Sequence, residues 1–342
     1  MAIRKLNKKG LFLTFISIAI VAAMIAIFTP PNISLEKDIS AVKARVENVN
    51  DYVFDLENVY LENTLNAVGR RTIIALIDYM QEETIMTGTE VFLTNFHDDF
   101  SEGLLDGTIG GTPIDNLINP DIMTGNTYND KLSEIRNKAN EAFNVDTVFN
   151  PITSNDIRVQ QLSPWFINVE MDVSFMVTTA EGTATWTREV TIITDIAIEN
   201  LRDPYYLAKT NGAYENRIKR TGTKFDEWNV DKVKDFIRDG NYTHFQNSNA
   251  PNFLSRFVDE VSASSCCGIE SLVNPNNPAI SNKDASYADY RYWSDAANCA
   301  SPPRSLFTVN AVNAEFPNFK FDLDHLAKYR LAADEQICPP PP

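Results

Sequence analysis

No charge interrupts residues 11–28, eighteen positions that are apolar apart from Thr14 and Ser17. Beyond Thr29-Pro30-Pro31 the run gives way to a heptad. Leu35, Ile39, Val42, Val46, Val49, Val53, Leu56 and Tyr60 step alternately by four and by three. A sustained 3.5-residue period places all eight on one helical seam, packed either against another copy or against a second helix of the same chain. Ser34 is a good N-cap for this helix, and Glu36 lies in its first turn, where acid is favoured. At about 1.5 Å per residue the first run measures roughly 27 Å, close to the ~30 Å hydrocarbon core of a bilayer. The pattern therefore predicts a transmembrane helix over 11–29 that continues into a long amphipathic, coiled-coil-like helix over 34–83, interrupted at Gly69-Arg70-Arg71.

Farther along, Leu132, Ile135, Ala139 and Phe143 share one face of a helix predicted over 128–143. Val169, Met171, Val173, Phe175 and Val177 alternate with polar residues. After a turn at Ala180-Glu-Gly-Thr183, Trp186, Val190 and Ile192 alternate on the return, which predicts a long hairpin with one buried face. Residues 156–161 offer a third strand, 230–238 a short helix, and Asp322 caps a last helix running to 332. The expected fold class is α+β: the N-terminal membrane helix, the long stalk helix, and an extracellular head with an antiparallel β-sheet and flanking helices. The domains expected are a basic leader over 1–10, the span over 11–29, the stalk over 34–83, a head over 84–200, and a loop-rich, disulfide-containing region over 201–342.

Charge sets the orientation. Arg4, Lys5, Lys8 and Lys9 precede the apolar run, and no cation follows until Lys37. The positive-inside rule thus leaves the leader in the cytoplasm and the body outside, in a protein of the cell membrane with lipid as its first partner. A cleaved secretory signal is the rival reading, with Ala22-Ala23 as cleavage residues, but the apolar run is longer than such signals use. The net charge is −16, and subtracting the four leader cations leaves −20 beyond them. So acidic a surface repels phosphate backbones and argues against nucleic acid as a partner.

Two resemblances follow from short motifs. The junction Lys8-Lys9-Gly10-Leu11 resembles the class III leader of type IV pilins and archaeal pilin-like proteins. It implies cleavage after Gly10 and self-association through the N-terminal helix. Phe15 stands where many pilins carry Glu, a departure that bears on assembly into a pilus. Asp203-Pro-Tyr-Tyr206, Gly268-Ile-Glu-Ser-Leu-Val-Asn274 and Asp289-Tyr-Arg-Tyr-Trp293 resemble membrane-anchored surface proteins of archaea, which implies an extracellular body and no particular activity.

Four cysteines, Cys266, Cys267, Cys299 and Cys338, fit an oxidising compartment. The adjacent pair is expected to reach Cys299 and Cys338 in one order or the other rather than to bond to itself. Asn32 and Asn241 begin glycosylation sequons. Tyr287, Tyr290, Tyr292 and Trp293 offer either a binding face or a half-buried strand. His97-Asp98-Asp99 reads as a solvated turn, His325 as a packed or solvent-facing helical residue, and Gly107-Thr-Ile-Gly-Gly111 as a turn without the lysine of a phosphate loop. The asparagine-rich loop over 274–282 lacks the spaced carboxylates of an EF-hand. No catalytic residue, metal site or cofactor is predicted. The favoured function is a structural or adhesive pilin-like subunit; the alternatives are a ligand- or partner-binding ectodomain and an anchored envelope hydrolase.

Overall fold

The computed structural model describes residues 35–115, 118–180, 182–246, 249–264, 266–294 and 305–338, with side chains from residue 43 onward. Helix α1 (Leu35–Asp55), a π-helical turn (Leu56–Tyr60) and α2 (Leu61–Thr87) come first. They are followed by α3 (Phe96–Asp106), the small hairpin β1 (Thr108–Ile109) and β2 (Thr112–Pro113), and α4 (Tyr128–Phe143). Strands β3 (Val145–Phe149), β4 (Ile157–Ser163), β5 (Phe166–Thr179) and β6 (Thr185–Ala197) make the main sheet. Then come α5 (Pro204–Lys209), α6 (Val230–Asp239), α7 (Asp289–Trp293), β7 (Leu306–Thr308), α8 (Asn310–Asn313), β8 (Phe321–Asp322), α9 (Leu323–Lys328) and β9 (Glu335–Gln336). Strand β7 is central in the last sheet, between β8 and β9.

The chain is thus α+β with several sheets, and the expected fold class needs correction. Among the described residues no helix is long and apolar enough to cross a membrane. Helices α1 and α2 carry charges along their length, Lys43, Glu47, Glu62, Arg70 and Asp78 among them, and so cannot be buried in hydrocarbon. The segment 11–29, with the leader residues Lys8, Lys9, Gly10 and Leu11 and the sequon at Asn32, lies outside the described residues.

The contacts divide the chain into two compact units. The first holds residues up to 60, 132–150 and 174–189. Its core joins Val49, Tyr52 and Val53 of α1 to Ala139 of α4, Val145 of β3 and Val177 of β5, all buried. Tyr52 lies 3.1 Å from the Thr147 hydroxyl and stacks on Phe143 with ring centroids 5.3 Å apart. The part of the heptad seam from Val49 to Leu56 is therefore buried within its own unit. Val49, Val53 and Leu56 are buried and Val46 half-buried, whereas the side chains of Leu35, Ile39 and Val42 lie outside the described set. Tyr60 leaves the seam and is 47% exposed. The π-helical turn adds a residue to its rotation and so shifts the apolar stripe.

The second unit holds residues 61–131, 151–173 and 190 onward. The expected interruption at Gly69-Arg70-Arg71 is absent, and α2 runs straight through it. Gly69 serves close approach: a Cβ there would lie 2.7 Å from Ile196 Cδ1 of β6. Arg70 Nη1 donates to Ala197 O at 2.7 Å, and Asn66 Nδ2 donates to Asp195 O at 3.0 Å, fastening α2 along that strand end. Strand β5 pairs antiparallel with β4 through Val169↔Val159 in this unit, and with β3 through Val177↔Thr147 in the first. Residues 156–161 thus contribute the expected third strand. The Gly107–Gly111 segment is the β1–β2 turn, where the Glu102 carboxylate accepts from Gly110 N, Gly111 N and the Thr108 hydroxyl.

Candidate functional site

The chemistry of the second unit gathers in two buried clusters, built from the three motif segments together with Arg256, which sequence reasoning passed over, and His325, which it placed in the last helix without a role. Asp203 caps α5, accepting from Tyr205 N at 2.9 Å, and its carboxylate is fully enclosed. Opposite it lies Arg256, on a 3₁₀ turn over Leu254–Phe257. Arg256 Nη1 reaches Asp203 Oδ2 at 2.7 Å and Asp289 Oδ2 at 2.9 Å, while Nη2 donates to Ile269 O at 2.6 Å. Of this guanidinium only Nε lacks an acceptor among the described residues. Hydroxyls complete the shell. Tyr242 donates to Asp203 Oδ2 at 2.7 Å and accepts from Asn216 Nδ2 at 3.0 Å. Ser271 donates to Asp289 Oδ2 at 3.0 Å and lies 2.8 Å from the Tyr206 hydroxyl. Burial raises the Asp289 carboxyl above its ordinary range, opposed by the Arg256 charge. The two enclosed carboxylates hold the guanidinium firmly protonated despite its burial.

The second cluster centres on Glu270, the residue before Ser271. Residues 269–273 are extended, with bridges from Glu270 to Thr243 and from Leu272 to Ala288. Consecutive side chains therefore point to opposite sides, one to each cluster. Glu270 accepts from Lys328 Nζ and the Tyr329 hydroxyl, each at 3.0 Å, and faces His325 Nε2 at 3.4 Å. His325 Nδ1 lies 2.7 Å from Asp322 Oδ2, and Asp322 also caps α9 through His325 N. With a carboxylate at each ring nitrogen, His325 is an imidazolium. Burial opposes the charge, yet Glu270 and Asp322 bring its pKa up to about 9. Burial likewise penalises Glu270, and His325 and Lys328 overcome it to hold that carboxyl at about 2. Asp289 and Tyr290 repeat the alternation: the first serves Arg256, and the second places its hydroxyl 3.4 Å from His325 Nε2.

The remaining expected site residues fall as follows. Tyr287, Tyr290 and Tyr292 are buried and Trp293 half-buried, so they form core rather than an open binding face. Tyr290 and Tyr292 sit on the short helix α7 and not on a strand; residues two apart point to different sides of a helical turn, and both are buried because Tyr290 packs against His325 and Tyr292 against Tyr287. The Trp293 ring stands edge-on to Tyr206 at 4.7 Å. Cys266 is bonded to Cys267, with Cα atoms 3.7 Å apart, which corrects the expected pairing. Both sulfurs lie near Gln161 O, at 3.6 and 3.2 Å. Cys338 is also disulfide-bonded, and Cys299 lies outside the described residues. His97 opens α3 rather than a turn, its Nε2 2.8 Å from Ile157 O and its Nδ1 3.1 Å from Asp98 Oδ1. In the asparagine-rich loop, Asn274 and Asn277 spend their side-chain oxygens on the backbone N–H groups of Asn276 and Ala279.

Asp203, Glu270, Ser271, Asp289 and Tyr290 stand in quoted motifs; Arg256 and His325 do not. The signal for Arg256 was its position between Phe253 and Phe257, a cation in an apolar setting that required a buried counter-charge. For His325 it was the spacing Asp322-x-x-His325, which puts a capping carboxylate on an imidazole one turn on. Chemically, both clusters are closed circuits. The oxygens of Asp203, Asp289, Glu270 and Asp322 are directed at cations, hydroxyls or backbone N–H groups, and His325 holds its proton at neutral pH instead of accepting one. No family model matches the chain, and no curated protein or solved structure matches it either.

Proposed function

We propose that the chain is an exported structural or adhesive subunit of pilin-like build, acting through cohesion and contact rather than through turnover. The observation that carries this reading is the inward closure of the motif segments. Asp203, Arg256, Asp289, Glu270 and His325 are fully enclosed and paired in two clusters, so the residues best suited to chemistry hold five chain segments together. The helix of the first unit, laid along antiparallel strands by Tyr52, Val53 and Leu56, supports the pilin-like part of the proposal. The oxidised pair Cys266–Cys267 supports a location outside the cytoplasm.

The test is protease treatment and thiol alkylation of intact cells, followed by sedimentation of the purified full chain. The expected result is external cleavage, no alkylation of cysteine before reduction, and self-associated species. Protein that is shielded within intact cells and freely alkylated without reductant would overturn the reading.

A further inference from the structure

Asn241-Tyr242-Thr243 is an Asn-x-Thr acceptor for N-linked glycans, and the fold treats its three residues differently. Helix α6 ends at Gly240, left-handed at φ 63°, where a Cβ would lie 2.6 Å from Asn216 Oδ1. This turn brings Asn241 to the surface. Its backbone N–H donates to Phe236 O at 3.3 Å, while its carboxamide has no hydrogen-bond partner among the described residues. The half-buried side chain lines an open concavity of about 260 Å³ with Thr221, Thr223, Lys232 and Asp235.

The next two residues turn inward. Tyr242 is fully buried, its hydroxyl on Asp203 and its backbone exchanging bonds with Lys219 O and Thr221 N at 2.7 and 2.9 Å. Thr243 is 5% exposed and exchanges both backbone hydrogen bonds with Glu270. The folded chain therefore presents the asparagine but holds the next two residues inward, with their backbone bonds spent on Lys219, Thr221 and Glu270, although the acceptor motif spans all three positions.

We propose that Asn241 carries an N-linked glycan and that the glycan is attached before residues 242–243 dock onto Asp203 and Glu270. In the transfer, Asn241 Nδ2 bonds to the anomeric carbon of a lipid-linked oligosaccharide. The bond from that carbon to the lipid phosphate oxygen breaks, the phosphate leaves with the electron pair, and Nδ2 gives one proton to a base of the transferase. Folding then buries Tyr242 and Thr243 and leaves the sugar at the mouth of the concavity. The proposal rests on the export reading, since the donor and the transferase act outside the cytoplasm.

The experiment has two arms. Peptide mapping of the native protein, with thiol alkylation on the same sample, is expected to find Asn241 glycosylated and the cysteines oxidised. In the second arm the full chain is translated into membrane vesicles that hold an oligosaccharyltransferase and its lipid-linked donor, and is compared with folded chain added to the same vesicles after opening with detergent. Occupancy of Asn241 is expected to be at least tenfold higher in the first case, retained in Thr243→Ser and lost in Asn241→Gln. Equal occupancy on the folded chain would overturn the order of events. Bare Asn241 in a protein with oxidised cysteines would overturn the glycan alone, whereas bare Asn241 with free thiols would overturn the export reading as well.

Discussion

Arg256 Nη1 lies 2.7 Å from Asp203 Oδ2 with neither side chain exposed to solvent, and one guanidinium thereby ties the α5 N-cap to a 3₁₀ turn 53 residues away. Two enclosed carboxylates depend on that single cation. Arg256→Met should cost about 3–5 kcal/mol in chemical denaturation, because it leaves two enclosed carboxyl groups without their shared counter-charge. Arg256→Lys should recover only part of this, since an ammonium cannot reach Asp203, Asp289 and Ile269 O together. Equal stability of wild type and Arg256→Met would show that the pair contributes nothing to cohesion.

The His325 cluster sets a pH dependence. The imidazole pKa is 6.5 when unfolded and about 9 when folded, so its stabilisation is complete below pH 6.5 and is lost as pH rises through about 9. The amount at stake is on the order of 3 kcal/mol. Glu270 acts in the opposite sense: its stabilisation is present above pH 4.5 and is lost as pH falls towards 2. Urea titrations at half-unit steps should therefore show stability falling between pH 6.5 and 9.5. His325→Gln should flatten that decline and also weaken the acid limb, because His325 is the first of the two cations that hold the Glu270 carboxyl low.

Gly268 and Gly222 make a matched pair. A Cβ on Gly268 would collide with Ala250 O, a backbone atom that cannot swing aside, whereas a Cβ on Gly222 meets nothing within 4 Å. Gly268→Ala should cost about 3 kcal/mol or more. Gly222→Ala should change stability by less than about 0.5 kcal/mol. Thermal melts of the two variants side by side check this, and similar shifts would contradict the packing described.

The seam of α1 gives the last test. Val53→Asp buries a charge in the core of the first unit and should cost more than about 3 kcal/mol. Val46→Asp, at a half-buried position, should cost less than half as much. Because Val49, Val53 and Leu56 are buried within their own unit, the loss of melting temperature in Val53→Asp relative to wild type should be the same over a hundredfold range of protein concentration. Recovery at high concentration would instead place the seam between copies.

Much of the secondary structure was legible. The 3.6-residue pattern located α4 over Tyr128–Phe143, and the period of two located β5 and β6. Asp322 capped a helix as expected, though α9 stops at Lys328. Other features depend on contacts that no local pattern records. Strand β3 has only five residues and follows α4 almost at once, too short a run to register an alternation. Gly69 looks like a helix break until its neighbour Ile196, more than a hundred positions on, is known. The site was half legible. The motifs held its carboxylates, but Arg256 stands in an ordinary Leu-Ser-Arg-Phe turn and acquires its role only when three distant segments meet around it.

The Cys266–Cys267 bond joins residues one position apart, so it encloses almost no chain. A cross-link that holds distant residues together restricts the unfolded polymer, and the benefit grows with the length of the loop it closes. Here the loop length is effectively nil. Oxidation at this pair leaves the unfolded ensemble about as large as before and acts only on the conformation of one peptide unit. The long connections between 203 and 289 are therefore brought together by charge and packing, without covalent help from this pair.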